Sequence, residues 1–511
     1  VNTRDVFGRE TVPVVTIAEA AAHDQSAREE FAIPERVLME NAGRALALIT
    51  HSLYPTGLVV GVAGAGHNGG DTVIALRTLK GWGRDVALVR ASARDHDPDL
   101  QHGAQLTEVT AADVMYTLTA AAVVLDGILG TGASGPPRER AADLIRAINA
   151  AQRPVVAVDL PSGVNADTGA LHDDAVNASV TVTFGFPKLG LLFYPARAAC
   201  GRLLAVDIAF PPLPNARAQL ITSQWALARS PRRPPTAHKG TSGRLLLMSG
   251  SKGMAGAAVI AGSAAVRSGA GLVRIASAAE NREIVQKSVP EATFFEREGI
   301  IDVTGITAIV AGPGMGATDY TRALLFDILA KTPGVATLLD ADALNVLAGD
   351  VDALARIARE RPILITPHPK EMSRLTGDPL ETITQAPLAS AQQLANATGA
   401  SVLLKGQPSI IAAPGAPVLI NTVGSSDFAV AGMGDQLAGV IGAMLAAGLE
   451  PRTAGAIGLF YSGRAGDIAG LGRSLMPSDV TDHLARAFAQ PGPTASTLGF
   501  PFITFDQPPR W

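Results

Sequence analysis

Cysteine is nearly missing from this 511-residue sequence, which contains only Cys200. An intramolecular disulfide and a thiolate zinc site are thereby excluded, and a reducing, cytoplasmic setting is expected. Cys200 stands in Ala-Ala-Cys-Gly-Arg without the basic partner that activates a thiol, so no nucleophile is expected there. An excess of basic charge is missing as well. Lys and Arg number 42 against 46 Asp and Glu, a net charge of −4, which gives nucleic acid no footprint. Long apolar runs are also absent: the longest, such as 438–448, fall short of the roughly 20 residues that span a bilayer. The N-terminal stretch carries Asp5 and Glu10 and lacks the apolar core of a signal peptide. Neither a nucleic-acid nor a membrane partner is expected. Short-period repeats and a Walker-spaced glycine loop are absent too.

What remains is rich in apolar residues, 47% against 17% charged, enough for large cores and, at this length, for more than one domain. Residues 230–240, Ser-Pro-Arg-Arg-Pro-Pro-Thr-Ala-His-Lys-Gly, read as an extended linker. They divide the chain into domains 1–229 and 230–490, followed by a proline-rich tail, 491–511, read as a wrapping or flexible extension. In the first domain, buried strands are read at Gly57–Ala63, Asp85–Arg90, Ala122–Asp126, Pro154–Asp159 and Ser179–Phe184, with helices at Thr72–Lys80 and Arg138–Ala151. In the second, strands are read at Arg244–Met248, Leu272–Ala276, Ala308–Ala311, Ala336–Leu339, Ile363–Thr366 and Ser401–Leu404. Ile410–Val423, with Pro414-Gly415 between two apolar runs, reads as a hairpin at a sheet edge. Strand–helix alternation of this kind implies α/β domains built on mostly parallel, doubly covered sheets.

The chemistry-bearing residues gather where strands end. Gly64-Ala-Gly-His-Asn-Gly-Gly-Asp71 follows a strand and opens a helix, which suits a phosphate-bearing ligand; Asp71 as a simple N-cap is the plainer reading. Asp126 and Asp159 end two further strands and lead into glycine turns. Ligands of open parallel sheets sit outside the carboxyl ends of the strands, so three such turns converge on one crevice. Asn68, Asp126 and Ser162 are hard oxygen donors, suited to an alkali or alkaline-earth ion. In the second domain, Gly432-Met-Gly-Asp435 at a helix start supplies backbone donors for a phosphoryl group and an aspartate placed to deprotonate a hydroxyl; a capping role for Asp435 is the alternative. Gly250–Ala258, Gly312–Gly316, Asp340–Asn345, Thr366–Glu371 and Lys405-Gly406 each follow a strand. His368, between two prolines, is held extended and is no helix-face core residue.

Met39–Arg44, the Asn-Gly-Gly-Asp turn, Asp126–Gly132 and Val158–Gly169 resemble the YjeF-type N-terminal domain, an NAD(P)H-hydrate epimerase module with a Rossmann-like fold, over about residues 14–210. The resemblance implies that His67, Asn68, Gly69, Gly70 and Asp71, with Gly130, Thr131, Gly132, Ala133, Ser134, Gly135 and Pro136, cradle the dinucleotide hydrate. It further implies that Asn68, Asp126 and Ser162 bind K+ and that Asp159 is the acid/base, with Lys188 a weaker candidate for the same site. The strand-end segments of the second domain, over about 236–470, resemble a ribokinase-like NAD(P)H-hydrate dehydratase. There the resemblance implies contacts to the hydrate from Ala257, Gly316, His368 and Asp435, and to the nucleotide from Lys405, Gly406, Gln407, Pro408, Ser409 and Gly434, with Asp435 the base. ADP (or ATP) with Mg2+ would phosphorylate the C6 hydroxyl of the hydrate, and phosphate would then leave. The substrates implied are NADHX and NADPHX, and a homo-oligomer is expected.

The sequence departs from the family pattern at His67, Thr72, Asp427, Phe428 and Gln436 and within Lys405–Ser409. Two other readings stay open: a ribokinase-like kinase for vitamin precursors with an N-terminal binding module, and a non-enzymatic interaction scaffold. The retained Asp126 and Asp159 turns and the acidic net charge speak against the scaffold.

Overall fold

Short β-branched and leucine runs, several of them closed by glycine or aspartate, become buried parallel strands in both halves of the chain. The computed structural model describes residues 10–92, 98–133, 135–233, 242–490 and 502–507, together with 235–236, 238 and 492. The chain divides into two units: the described residues up to Arg217 with 502–507, and those from Ala218 to Gly492. Among the described residues no helix is long and apolar enough to cross a membrane.

The first unit contains β1 (Thr11–Val14), β2 (Val59–Ala63), β3 (Val86–Arg90), β4 (Val123–Gly127), β5 (Val155–Val158), β6 (Val180–Phe184) and β7 (Arg202–Val206). Strands β3-β2-β4-β5-β6-β7 lie parallel in that order, and Ile503–Gln507 pairs antiparallel with β7. Every residue of β2, β4, β5 and β6 is buried, as a sheet covered on both faces requires. One face carries helices Glu35–Leu53 and His67–Gly81, which contribute Leu46, Ile49, Ile74 and Leu76 to a core; the other carries Leu144, Ile145 and Ile148 of helix Glu139–Ala151.

The second unit contains β8 (Ala218–Ile221), β9 (Arg244–Met248), β10 (Leu272–Ser277), β11 (Thr293–Glu296), β12 (Ala308–Ala311), β13 (Ala336–Leu339), β14 (Ile363–Ile365), β15 (Ser401–Leu404), β16 (Ser409–Ala412) and β17 (Val418–Asn421). Their order is β8-β17-β16-β15-β14-β13-β12-β9-β10-β11, parallel except where β16 runs against β15 and β17. Small residues let the helices on this sheet approach closely: a Cβ on Gly439 would meet the Ala261 carbonyl at 2.1 Å.

Three expectations change and one is narrowed. The boundary falls at 217/218 rather than 229/230, because β8 pairs in register with β17 and Trp225 and Ala226 join the second unit's core. Of the two readings of the tail, wrapping holds for its described part: Ile503–Gln507 is a buried strand whose Asp506 accepts from Arg202 Nε at 2.9 Å. The hairpin forms around Pro414-Gly415 but is not an edge of the second unit's sheet, since β8 covers β17. The helix read from Thr72 begins at His67, taking the glycine turn into its first coil.

Candidate active sites

In the first unit the loops leaving β2, β4, β5 and β6 meet at a cavity of about 350 Å³ lined by His67, Asn68, Asp71, Thr131, Asp159 and Lys188, among others. The turn after β2 has to be glycine: a Cβ on Gly64 would lie 2.1 Å from the Ile128 carbonyl, and one on Gly69 1.9 Å from that of Gly64. Asp71 is not the N-cap. Gly66 holds that position, and Asp71, buried, lies in the next turn against the cavity. Gly69 and Gly70 are buried beside it, and Thr72 fills the place of a family glycine by donating to the Asn68 carbonyl at 2.8 Å. His67 stands at the mouth, more than half exposed, with Nε2 3.0 Å from Glu35 Oε1. Of the turn after β4, Thr131 lines the cavity and Gly130 packs on the Asn68 amide. Gly132, Ala133, Gly135 and Pro136 form an exposed turn, and Ser134 lies outside the described residues.

Asp159 directly follows β5 in a left-handed conformation, φ 68°. Such backbone is costly for a residue with a Cβ and concentrates at functional positions. Its Oδ1 accepts from Thr183 Oγ1 and the Phe184 amide, each at 3.0 Å, and from Lys188 Nζ. The lysine, 4% exposed, also donates to Thr183 Oγ1 at 3.1 Å and the Phe184 carbonyl at 3.0 Å. Its place is set by backbone pairing, since Leu189 N donates to the Val15 carbonyl and Val15 N to that of Pro187. Lys188 therefore belongs to the site and is no surface lysine.

Asn68, Asp126 and Ser162 come together. Asp126 is fully buried, accepting from Ser162 Oγ at 2.7 Å and Ser162 N at 2.8 Å. Burial pushes its carboxyl up to about 6 against the pull of those bonds. Asn68 Nδ2 lies 3.1 Å from the Leu129 carbonyl and 2.5 Å from that of Val158, while its Oδ1 makes no hydrogen bond among the described residues. An acid buried without a cation, a free amide oxygen and two converging carbonyls are all hard oxygen donors, and this set fits an alkali ion.

In the second unit the site is built from residues immediately after parallel strands. Asp340 follows β13, Thr366 follows β14 and Lys405 follows β15. Lys405 Nζ donates to Asp340 Oδ1 at 2.9 Å and lies 3.7 Å from Glu371 Oε2. Burial would lower the Lys405 ammonium, but Asp340, Glu371 and Asp435 outweigh it and hold it above its usual value. Asp435 sits in the first turn of helix Met433–Ala446, whose N-cap is Gly432. Its carboxylate makes no hydrogen bond or ion pair among the described residues, so the capping reading fails. Burial, then the charges of Asp340 and Asp342, push it up to about 6 against Lys405.

Gly434 adjoins the same charges: a Cβ there would lie 3.8 Å from Lys405 Nζ and 3.9 Å from Asp340 Oδ2. Gly316 N donates to Asp342 Oδ2 at 2.7 Å, and Ala257 is buried on helix Ala255–Arg267 against Gly314. His368 is the N-cap of helix Pro369–Thr376, its Nδ1 accepting from the Lys370 and Glu371 amides at 3.1 and 3.2 Å. Burial lowers its imidazole pKa. In the turn 405–409, which includes Gln407 and Pro408, Ser409 Oγ accepts from Gly406 N at 3.2 Å and donates to the Gly406 carbonyl at 3.0 Å. Asp427 does not lean on this cluster; Ser425 Oγ donates to its carboxylate at 2.8 Å within its own turn, and Phe428 packs on Gly466. Gln436 is buried, and its Nε2 has no hydrogen-bond partner.

A larger open depression, about 440 Å³, lies at the amino ends of β14 and β15. Its buried Arg361 is committed to the Thr332 and Leu329 carbonyls at 2.9 and 2.8 Å, so the chemistry belongs at the opposite ends of the strands. The strand-end segments were legible in sequence, but Asp340, Thr366 and Glu371 were not singled out within them. Their signal was position, as first or near-first polar residues after a strand.

Two family descriptions match the chain: YjeF-related protein N-terminus over residues 35–190 and NAD(P)H-hydrate dehydratase over residues 245–488. The bifunctional NAD(P)H-hydrate repair enzyme of Moorella thermoacetica is 36% identical over 516 residues, covering 92% of this chain and 96% of its own. Those of Mycobacterium tuberculosis and Escherichia coli are 37% and 34% identical, covering 83% and 88% of this chain and 87% and 88% of theirs. The Bacillus subtilis ADP/ATP-dependent NAD(P)H-hydrate dehydratase, co-crystallised with ATP and Mg2+, is 29% identical with a TM-score of 0.47, covering 52% of this chain and 96% of its own. The chain thus belongs to the family of bifunctional NAD(P)H-hydrate repair enzymes, with a Rossmann-like YjeF-type domain followed by a ribokinase-like one.

Proposed function

We propose that the two sites act in turn on hydrated NADH and NADPH, Asp159 serving epimerisation and Asp435 nucleotide-dependent dehydration. Both activities belong to the repair-enzyme family. One observation carries the division of labour: at the mouth of each parallel sheet an aspartate lies in the field of a lysine, Asp159 paired with the buried Lys188 and Asp435 near the partly buried Lys405, which is itself paired with Asp340.

At the first site Asp159 accepts the proton of the C6 hydroxyl. The C6–N1 bond of the carbinolamine opens, and the ring recloses on the other face as the proton returns. Lys188 orients the carboxylate throughout. Asn68, Asp126 and Ser162, with the carbonyls of Leu129 and Val158, would hold K+, which would supply fixed positive charge beside an anionic substrate. At the second site Asp435, held near neutrality, removes the C6 hydroxyl proton as that oxygen attacks the terminal phosphoryl group of ADP, with ATP the alternative donor. Lys405–Ser409 and Gly434 line the path of the nucleotide, which carries Mg2+. Phosphate is a far better leaving group than hydroxide, and the N1 lone pair assists its departure.

The test follows both epimers of NADHX by chromatography, and NADH by its absorbance, with ADP or ATP and Mg2+. Full conversion of the mixture by the wild type is expected, with nucleotide-dependent recovery lost in Asp435→Asn. In Asp159→Ala only the R epimer should persist. A stable phosphorylated product in place of NADH would instead make the second unit a small-molecule kinase.

A further inference from the structure

Dehydration through a phosphate ester needs two proton acceptors. Asp435 leaves the phosphorylation step carrying the hydroxyl proton. Forming the C5=C6 double bond then requires loss of a proton from C5, and a carboxylate that is already protonated cannot take it. A second base facing the same space can take it while Asp435 is still protonated.

We propose that Asp340 is that base, an inference that rests on reading the second site as a dehydratase. Asp340 is 2% exposed and directly follows β13. Its Oδ1 is occupied, accepting from Thr366 Oγ1 at 2.7 Å and Lys405 Nζ at 2.9 Å. Its Oδ2 makes no hydrogen bond among the described residues and faces Gly434, where a Cβ would stand 3.9 Å away. Glycine at 434 leaves that oxygen open toward the turn that carries Asp435. The residue after it, Ala341, has φ 45° and ψ −113°, a strained conformation for a residue with a Cβ and of the kind held at functional sites.

The neighbouring groups are committed elsewhere. Asp342 accepts from Gly316 N with Oδ2 and from Asn345 Nδ2 at 3.1 Å with Oδ1. Glu371 accepts from His368 N at 2.8 Å with Oε2, and its Oε1 lies 3.5 Å from His368 Nε2. Because His368 Nδ1 accepts two backbone amides, the proton of the neutral ring is on Nε2, which offers no lone pair. Among the described residues two carboxylate oxygens of this group besides those of Asp435 have no hydrogen bond, Glu371 Oε1 and Asp340 Oδ2; the first stands beside His368 Nε2, and the second faces Gly434.

The step balances without an oxidant or reductant. The C6–O bond breaks with its electron pair going to phosphate, and the N1 lone pair forms C6=N1. The C5–H pair then becomes C5=C6, N1 recovers its lone pair, and the proton passes to Asp340 Oδ2. Asp435 keeps the first proton until the ring is restored and then gives it to the released phosphate.

The test measures AMP and NADH separately in quenched single turnovers of full-length protein with S-NADHX, ADP and Mg2+. Asp340→Asn keeps an acceptor for Thr366 and Lys405. It is expected to lower NADH formation by about 10²–10⁴-fold, the range for loss of a general base, while AMP formation stays within about tenfold of wild type and the phosphorylated hydrate accumulates. Asp340→Glu, which retains a carboxylate, should form NADH faster than Asp340→Asn and show a larger isotope effect than wild type on substrate deuterated at C5. Equal loss of AMP and NADH in folded Asp340→Asn would overturn the assignment and make Asp340 a positioning residue for Lys405. If Asp340→Asn does not fold, Asp340→Glu decides: an isotope effect no larger than wild type on slowed NADH formation overturns the proposal. A wild type that forms no AMP from the hydrate and ADP would sink the dehydratase reading itself, a distinct failure.

Discussion

The two sites solve one problem, keeping an aspartate reactive at the end of a parallel sheet, in opposite ways. Asp159 is locked: buried, left-handed, and bonded on one oxygen to Lys188, Thr183 and a backbone amide. Asp435 is loose: partly buried, without a hydrogen bond among the described residues, and pushed up to about 6 by burial and then by the carboxylates around it. A locked base suits a reaction that returns its proton to the same substrate. A loose base with a raised pKa suits a hydroxyl that has to be deprotonated while a bulky phosphoryl donor shares the space.

The contrast can be broken most sharply at Asp435. Its replacement by Asn should cut dehydration by about 10²–10⁴-fold and leave epimerisation unchanged. In the wild type, the base form of Asp435 is lost as pH falls through about 6. The dehydratase kcat/KM should then drop by about tenfold per pH unit below that value, and a flat profile down to pH 5 would show that Asp435 is not the base.

Next in size is Lys188→Met, which strands a buried Asp159 without its cation. Removing one partner of a buried pair costs about 3–5 kcal/mol, so the unfolding transition of the first unit should move to markedly lower temperature. The same change at Lys405, whose side chain is 24% exposed, should cost less. Equal losses would mean that the two lysines do not differ in kind.

Asp126 gives the third test. Its folded-state pKa is raised to about 6 by burial, so its stability contribution is present below its unfolded value and is lost as pH rises through 6. Asp126→Asn should therefore stabilise the first unit by about 2–3 kcal/mol at pH 8 without K+, and hardly at all at pH 4. K+ should raise the melting temperature of the wild type at pH 8 more than that of the variant. Indifference of both proteins to K+ would count against the ion.

The smallest effect is expected at Gln436, beside Asp435, where a buried Nε2 lacks a partner. Gln436→Val should stabilise the second unit by about 1–2 kcal/mol and leave kcat within about twofold, since an unmade buried hydrogen bond is a pure cost. A large fall in kcat would show instead that the amide meets the nucleotide.

Sequence punctuation was sufficient to find the crevices, because several site residues stand at or directly after a strand end and that position is local information. Asp126, Asp159, Asp340 and Lys405 all follow or end runs of buried β-branched or leucine residues. Punctuation failed where a distant strand completed an element. Nothing near 218–221 or 503–507 announces a partner 200 or more residues away in β17 or β7, so 218–229 reads as part of the first domain and 503–507 as part of a tail. His67 and Asp427 likewise looked like disturbances of their sites until Glu35 and Ser425 were seen to hold them.

The sequence by itself determined the two α/β units and the glycine and aspartate turns at their strand ends, since strand length, alternation and close approach are dictated residue by residue. Only the tertiary structure decided which charges face one another. Asp159 and Lys188 are 29 residues apart, Asp340 and Lys405 are 65 apart, and Asn68 and Val158 are 90 apart. Strand order and side-chain direction bring each pair together, and neither is written in local periodicity.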